Sequence, residues 1–285
     1  MSLRASASRG LYFAPVAAVH AWYYTDPGCA WSWSVEPSLR RLQVEFDGEV
    51  QISFVMSGIR EKPPGPDETE NWLEASAASG MPVDVRLWLD GGGPESTYPA
   101  CLAVKAAAEQ GDPGPFLRAL REGFAFRRRQ LDHAQAFEAV ARERGGLDLD
   151  RLRNDMGSHA ILEAFGADLE RARAVDPEHH SPDRGRVKLP SLEFEGSSGE
   201  VHGVYGPAPY EAYRDAALAA GATPSGGAAP GVVDTLRRFG PMATVEVAAV
   251  CQLPGPRAPA ALWALAADWA VLVERTVGGE IWTVA

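Results

Sequence analysis

Cysteine is scarce in this 285-residue chain: there are three, Cys29, Cys101 and Cys251, and no two stand close together. So sparse and odd a set suits a reducing cytoplasm better than a disulfide framework. Positive charge is also short. The chain has 27 Lys and Arg against 38 Asp and Glu, a net charge of -11. That argues against a nucleic-acid partner, because polyanion binders need a basic face. No apolar run reaches membrane-spanning length. The N-terminal stretch "MSLRASASRGLYFAPVAAVHAWYY" is interrupted by Pro15 and His20 and lacks a signal-peptide cleavage pattern. A cytoplasmic protein with no membrane partner is expected. There is no internal repeat. "DPEHH" (176–180) lacks the spaced second pair that a metal site needs. "GGGPES" and "GVYGPAP" stand outside the strand-to-helix setting of a phosphate loop.

What is present is ordinary for a globular protein: 46% hydrophobic and 23% charged residues. A chain this long buries a core without disulfide or metal staples. "VAAVHAWYY" (16–24) is an apolar run closed by Asp-Pro-Gly and reads as a buried strand. "CAWSWSVEPSLRRLQVEF" (29–46) reads as a helix, with Leu39, Leu42 and Phe46 at helical spacing and a kink expected at Pro37. "EVQISFVMSGI" (49–59) alternates and reads as a second strand. A proline-rich loop, "EKPPGPDETE", follows, and from about 67 to 175 the patterns are almost all helical. Strand texture returns at "RVKLPSLEFEG" and "SSGEVHGVYG", and "PAPYEAYRDAALAAG" closes as a helix. One sheet split by a helical insertion explains this order; two separate sheets would each be too small to stand alone.

Cys29 stands at the first strand-to-helix junction. Unpaired N–H groups and the helix dipole stabilise a thiolate there, so a lowered thiol pKa and a nucleophilic role are expected. Ser32, one turn on, is placed to support the thiolate by a hydrogen bond. A serine at that position cannot attack. A mixed disulfide at Cys29 must therefore wait for an external thiol, which favours exchange over net dithiol oxidation. The bland alternative for Cys29 is a small buried hydrophobe. Burial is the reading for Cys101 and Cys251.

"YYTDPGCAWSWSVEPSLRRL" resembles the active-site helix of the DsbA-like thioredoxin-fold oxidoreductases. The nearest branch is the cytoplasmic one described as predicted dithiol-disulfide isomerases, which is similar in turn to adaptor proteins that deliver a regulator to a protease. "GMPVDVRLW" (80–88) and "STYPACLAVKAA" (96–107) look like that family's helical insertion, "RVKLPSLEF" like its cis-proline strand, and "VYGPAPYEAY" like the entry to its last helix. The resemblance covers roughly residues 15–220. It implies an α/β thioredoxin-like fold split by an all-helical insertion. Residues 1–66 and 176–222 would form the thioredoxin-like domain and 67–175 the insertion. It implies Cys29 as nucleophile, with Ser32 at the resolving-cysteine position. It also implies a substrate surface of Trp31, Leu189 and cis-Pro190.

The function expected is single-cysteine thiol–disulfide exchange on protein or small-molecule disulfides. No cofactor is called for, and glutathione or another low-molecular-weight thiol is the candidate co-substrate. The alternative is a non-catalytic adaptor that keeps the peptide groove. A weaker alternative is a relative of the glutathione-dependent isomerases.

Among the other tryptophans near Cys29, Trp22 reads as core. "FRRRQ" (126–130) reads as a solvated helix face rather than an anion site. "GATPSGGAAPG" (221–231) is a linker by composition. Beyond it, three short helices and a hairpin turned at Gly278-Gly279 give residues 230–285 the order of a winged-helix module. Its four arginines (Arg237, Arg238, Arg257, Arg275) meet five acidic residues (Asp234, Glu246, Asp268, Glu274, Glu280). A packing or homodimerisation role is expected of it, not DNA reading.

Overall fold

A computed structural model describes residues 17–59, 68–89, 93–182 and 184–285. Most of the N-terminal segment and most of the proline-rich loop fall outside the described residues. Strand β1 (Val19–Thr25) lies second in a four-stranded sheet of order β2-β1-β3-β4. Its parallel neighbour β2 (Val50–Met56) follows two helices, α1 (Ala30–Ser34) and α2 (Glu36–Glu45). The other two strands, β3 (Ser191–Glu195) and β4 (Val201–Tyr205), are antiparallel additions. Between β2 and β3 the described residues form seven α-helices, α3 (Glu68–Ser79), α4 (Arg86–Leu89), α5 (Tyr98–Ala108), α6 (Gly114–Ala125), α7 (Ala134–Arg144), α8 (Leu149–Met156) and α9 (His159–Ala174), and a short 3-10 turn at Pro177–His179. The sheet is therefore one sheet with a helical block inserted in sequence.

Alternation along the strands sets the two faces. Val19, Ala21 and Tyr23 of β1 and Leu192 and Phe194 of β3 are buried against Leu39, Leu42 and Phe46 of the α2 region and Tyr213 and Ala217 of α10 (Tyr210–Ala219). On the opposite face, Tyr24 and Val55 pack with Ala172 of α9, Val175 and Val187. Trp22 belongs to that second face and is only partly buried, stacked on His20 at 4.1 Å with the Arg171 guanidinium 3.7 Å over its ring. The expectation that it is a core residue holds in part: it packs against the Tyr24 and Val55 cluster but keeps some exposure.

The single helix expected over 29–46 is two. The break falls at Val35, and Pro37 lies in the first turn of α2, where its missing N–H interrupts no hydrogen bond. The helix expected to run through the arginines at 127–129 stops at Ala125. Arg127 to Arg129 form a loop closed by Arg127 N–H to Glu122 O (2.8 Å) and Arg129 N–H to Gly123 O (2.8 Å). They are not a helix face, and their side chains are ion-paired rather than merely solvated.

After the linker come α11 (Val232–Phe239), β5 (Met242–Ala243), α12 (Thr244–Val250), α13 (Arg257–Ala267), β6 (Val271–Thr276) and β7 (Gly279–Val284). The three strands pair antiparallel in the order β5-β7-β6 around a separate core of Leu236, Met242, Val247, Leu262, Val271 and Trp282.

Candidate active site at the first strand-to-helix turn

The turn that leaves β1 is built by Asp26. Its Oδ1 accepts from Gly28 N–H (2.7 Å), and Cys29 N–H donates to the Asp26 carbonyl (3.2 Å), so the chain reverses within three residues. Gly28 is needed for close approach. A Cβ there would stand 2.8 Å from Thr97 Cγ2. The other carboxylate oxygen, Oδ2, accepts from Ile59 N–H (2.8 Å), Thr97 Oγ1 (2.7 Å) and the Cys101 thiol (3.4 Å). Asp26 is fully buried, and these donors come from three separate stretches of chain. It is the hub that holds the turn, and the sequence reading missed it.

Cys29 is the N-cap of α1. Its sulfur accepts from Ser32 N–H at 3.4 Å. The expected geometry is therefore present, but the expected ionisation is not. The residue is 5% exposed, and burial pushes the thiol pKa up. The hydrogen bonds from Ser32 and the charge of Arg121 pull it down, while the Asp26 carboxylate pushes with burial; the net direction is upward. The expectation of a readily ionised thiol is corrected. Helix α1 is five residues long, so its dipole is small, and desolvation of the thiolate outweighs it. Cys101 and Cys251 are buried as expected, and burial raises both thiols.

Ser32 is fully buried. Its Oγ accepts from Thr25 Oγ1 (2.9 Å), and Thr25 Oγ1 in turn accepts from Arg121. Arg121 also donates to Glu36 and to Tyr23 OH (3.3 Å). Beside it Arg118 donates to Glu36 (3.0 Å), Glu122 (2.9 Å) and Glu246 of α12 (2.8 Å). This buried charge network was also missed, although one signal was available. Leu117, Leu120 and Phe124 make an apolar stripe on α6, and Arg121 stands on the same stripe. A charge at a core-facing position needs a buried partner.

The structure places the other expected residues as follows. Trp31 is partly buried, and its Nε1 donates to Asn71 Oδ1 of α3 (2.8 Å). Trp33 is fully buried and donates to the Pro82 carbonyl (3.0 Å). The Leu189–Pro190 peptide bond is cis. Tyr24 pairs with Ser191, so the next step of that register sets Pro190 opposite Thr25, at the mouth of the Cys29 turn. Leu189 is partly buried against the Tyr24 and Val55 cluster. No group of three or more potential metal ligands occurs among the described residues. No helix among them is long and apolar enough to cross a membrane.

A strand ending in a tight turn, a cysteine capping the next helix and a cis-proline facing the turn together make a thioredoxin-type site. The profile of the family described as Thioredoxin (Thioredoxin_5) matches residues 22–180. The chain belongs to this thioredoxin family. It is 30% identical over 167 residues to the ClpXP adapter protein SpxH of Halalkalibacterium halodurans, covering 54% of each chain. It is 27% identical over 253 residues to the protein of the same name from Shouchella clausii, covering 82% of this chain and 78% of that one. The match thus spans about half the length of the first relative. Among solved structures, a putative protein disulfide isomerase from Nitrosomonas europaea superposes with a TM-score of 0.59 at 21% identity, over 70% of this chain and 96% of the other. That likeness is one of fold. The family is thioredoxin and the fold is shared with that putative disulfide isomerase, while the relatives by sequence carry an adapter's name.

Proposed function

We propose that this chain is a thioredoxin-fold adapter, a protein that binds other proteins and presents them to a ClpXP-type protease, and that Cys29 does not turn over disulfides. The observation that carries this reading is the burial of Cys29 at 5% exposure with its pKa raised. Buried Ser32 at the position of a resolving thiol supports it, because nothing there releases a mixed disulfide. The name shared by the sequence relatives supports the same reading. The sparse cysteines favour a cytoplasmic setting. Residues 1–66 and 176–222 would act as the thioredoxin-like domain and 67–175 as its insertion. The helix-strand-helix-helix-hairpin order supports a winged-helix-like packing module over 230–285.

A second reading, single-thiol exchange at Cys29, is favoured by one observation: the sulfur already accepts a backbone hydrogen bond at a helix N-cap. Iodoacetamide kinetics with site-resolved mass spectrometry separate the two. Under the adapter reading, native Cys29 alkylates at pH 7 more slowly than free cysteine, the direction that a buried thiol with a raised pKa requires. Cys29→Ala then stimulates ClpXP degradation of a client as well as wild type does. Faster alkylation than free cysteine at pH 6 would sink it, together with reduction of a glutathionylated peptide that Cys29→Ala abolishes.

A further inference from the structure

At the seam between the helical block and the C-terminal hairpin lies a cavity of about 300 Å³, apart from the Cys29 turn. It is lined by Asp84 and Arg86, by the loop Arg127, Arg128 and Arg129, and by Glu274, Arg275 and Thr276 of β6. Five guanidiniums face two carboxylates, in a chain whose net charge is -11. Both carboxylates are already engaged. Asp84 is 2% exposed and forms the floor, accepting from Arg86 Nε (2.8 Å) and from Thr276 Oγ1. Glu274 is paired with Arg127. Arg128 reaches Asp84 only at 3.5 Å and Arg275 reaches Glu280 only at 3.6 Å, and both side chains remain about half exposed or more, 49% and 62%. Arg129 is paired with Glu143 (2.6 Å) and Arg127 also meets Glu122 (3.6 Å), so charge is balanced pair by pair; what the open side holds in excess is N–H donors, on the loosely held forks of Arg128 and Arg275.

The backbone adds an independent sign. Arg128 has φ +53°, the left-handed region that favours glycine, and it is one of three non-glycine residues described there. A glycine at 128 would be more comfortable, so the arginine is kept at the rim at some cost in backbone strain. Phe126, the aromatic residue lining the cavity, is 3% exposed and offers no face on which a nucleobase could stack. Recognition here is by charge and hydrogen bonding alone. The guanidiniums come from three separate stretches of chain, which suits carboxylates spaced along a peptide.

We propose that this arginine-lined seam is a docking site for an acidic peptide segment of a partner protein. Carboxylates entering it meet the planar donor forks of Arg128 and Arg275, which pair with them bidentately. The site goes beyond the adapter reading and does not depend on it, since an exchange enzyme would carry the same seam.

The test is fluorescence anisotropy of a labelled hexaglutamate peptide titrated with the full-length chain. Wild type is expected to bind, with affinity falling as salt rises. The double variant Arg128→Gly, Arg275→Ala should bind roughly tenfold or more weakly, as loss of two charge-assisted contacts requires. Arg128→Gly alone should weaken binding while leaving the thermal midpoint equal or higher, which separates lost recognition from lost folding. Equal binding by wild type and variants would overturn the proposal, as would no binding. Displacement of the peptide by equimolar inorganic phosphate would assign the seam to small oxyanions and overturn it too. So would wild-type self-association that the variants abolish, because the occupant would then be a second copy.

Discussion

Asp26 shows how one buried carboxylate sets the character of a site. It accepts from Gly28 N–H, Ile59 N–H, Thr97 Oγ1 and the Cys101 thiol, which leaves no lone pair facing solvent. An amide at that position accepts through one oxygen only, so at least one buried donor loses its partner. Asp26→Asn is therefore expected to cost about 1–3 kcal/mol in urea unfolding. The same change removes a negative charge that raises the Cys29 thiol. The pH midpoint of Cys29 alkylation should then move down. A midpoint that stays put or rises would show that Asp26 does not act on the thiol through its charge. At this scale the sequence was half legible. Cys29 and Pro190 announced themselves through their motifs. Asp26 was visible only as part of Asp-Pro-Gly, because its partners lie 33, 71 and 75 residues away.

Among the elements, the turn of the last hairpin bears on how the C-terminal module is attached. Gly278 sits against residue 83 so closely that a Cβ would stand 1.7 Å from the Val83 carbonyl oxygen. That contact is backbone on both sides and cannot relax by a rotamer change. Gly278→Ala is expected to lift the hairpin, with a loss on the order of 2–4 kcal/mol, the scale of a severe core overpacking. Limited proteolysis within 221–231 should accelerate at the same time. Gly227→Ala, where a Cβ meets nothing within 4 Å, serves as the control. If the two variants are cleaved alike, the hairpin contact does not hold the module. Periodicity located nearly every element because each strand or helix shows its own apolar spacing. It missed the break at Val35 and the stop at Ala125, since both depend on how the ends of the helices pack.

Across the whole molecule, a buried network joins the parts. Glu36 of α2, Arg118 and Arg121 of α6 and Glu246 of α12 meet in one cluster with Arg40 and Glu122. Burial by itself would raise the Glu36 carboxyl. The guanidiniums of Arg118, Arg121 and Arg40 outweigh it and bring the pKa down to about 2 from an ordinary 4.5. A folded-state pKa below the unfolded one means stability that is fully present above about pH 4.5 and is lost as pH falls toward 2. The contribution is on the order of 3 kcal/mol. Unfolding free energy measured from pH 5 to pH 2 should fall along that limb, and Glu36→Gln should flatten it. An unchanged slope in the variant would mean that other carboxylates control acid unfolding.

Local chemistry written along the chain determined the strand-helix-strand unit around Cys29, the helical stretch between the halves of one sheet, and the hairpin at the end. These rest on periodicity, turn residues and a recognisable motif, all of which act over a few neighbouring positions. Only the tertiary structure decided whether the sulfur is ready to react. Ionisation depends on how much water reaches the atom and on which distant charges face it. Burial settles that first, residues 26, 32 and 121 act on what remains, and no spacing in the sequence reports either.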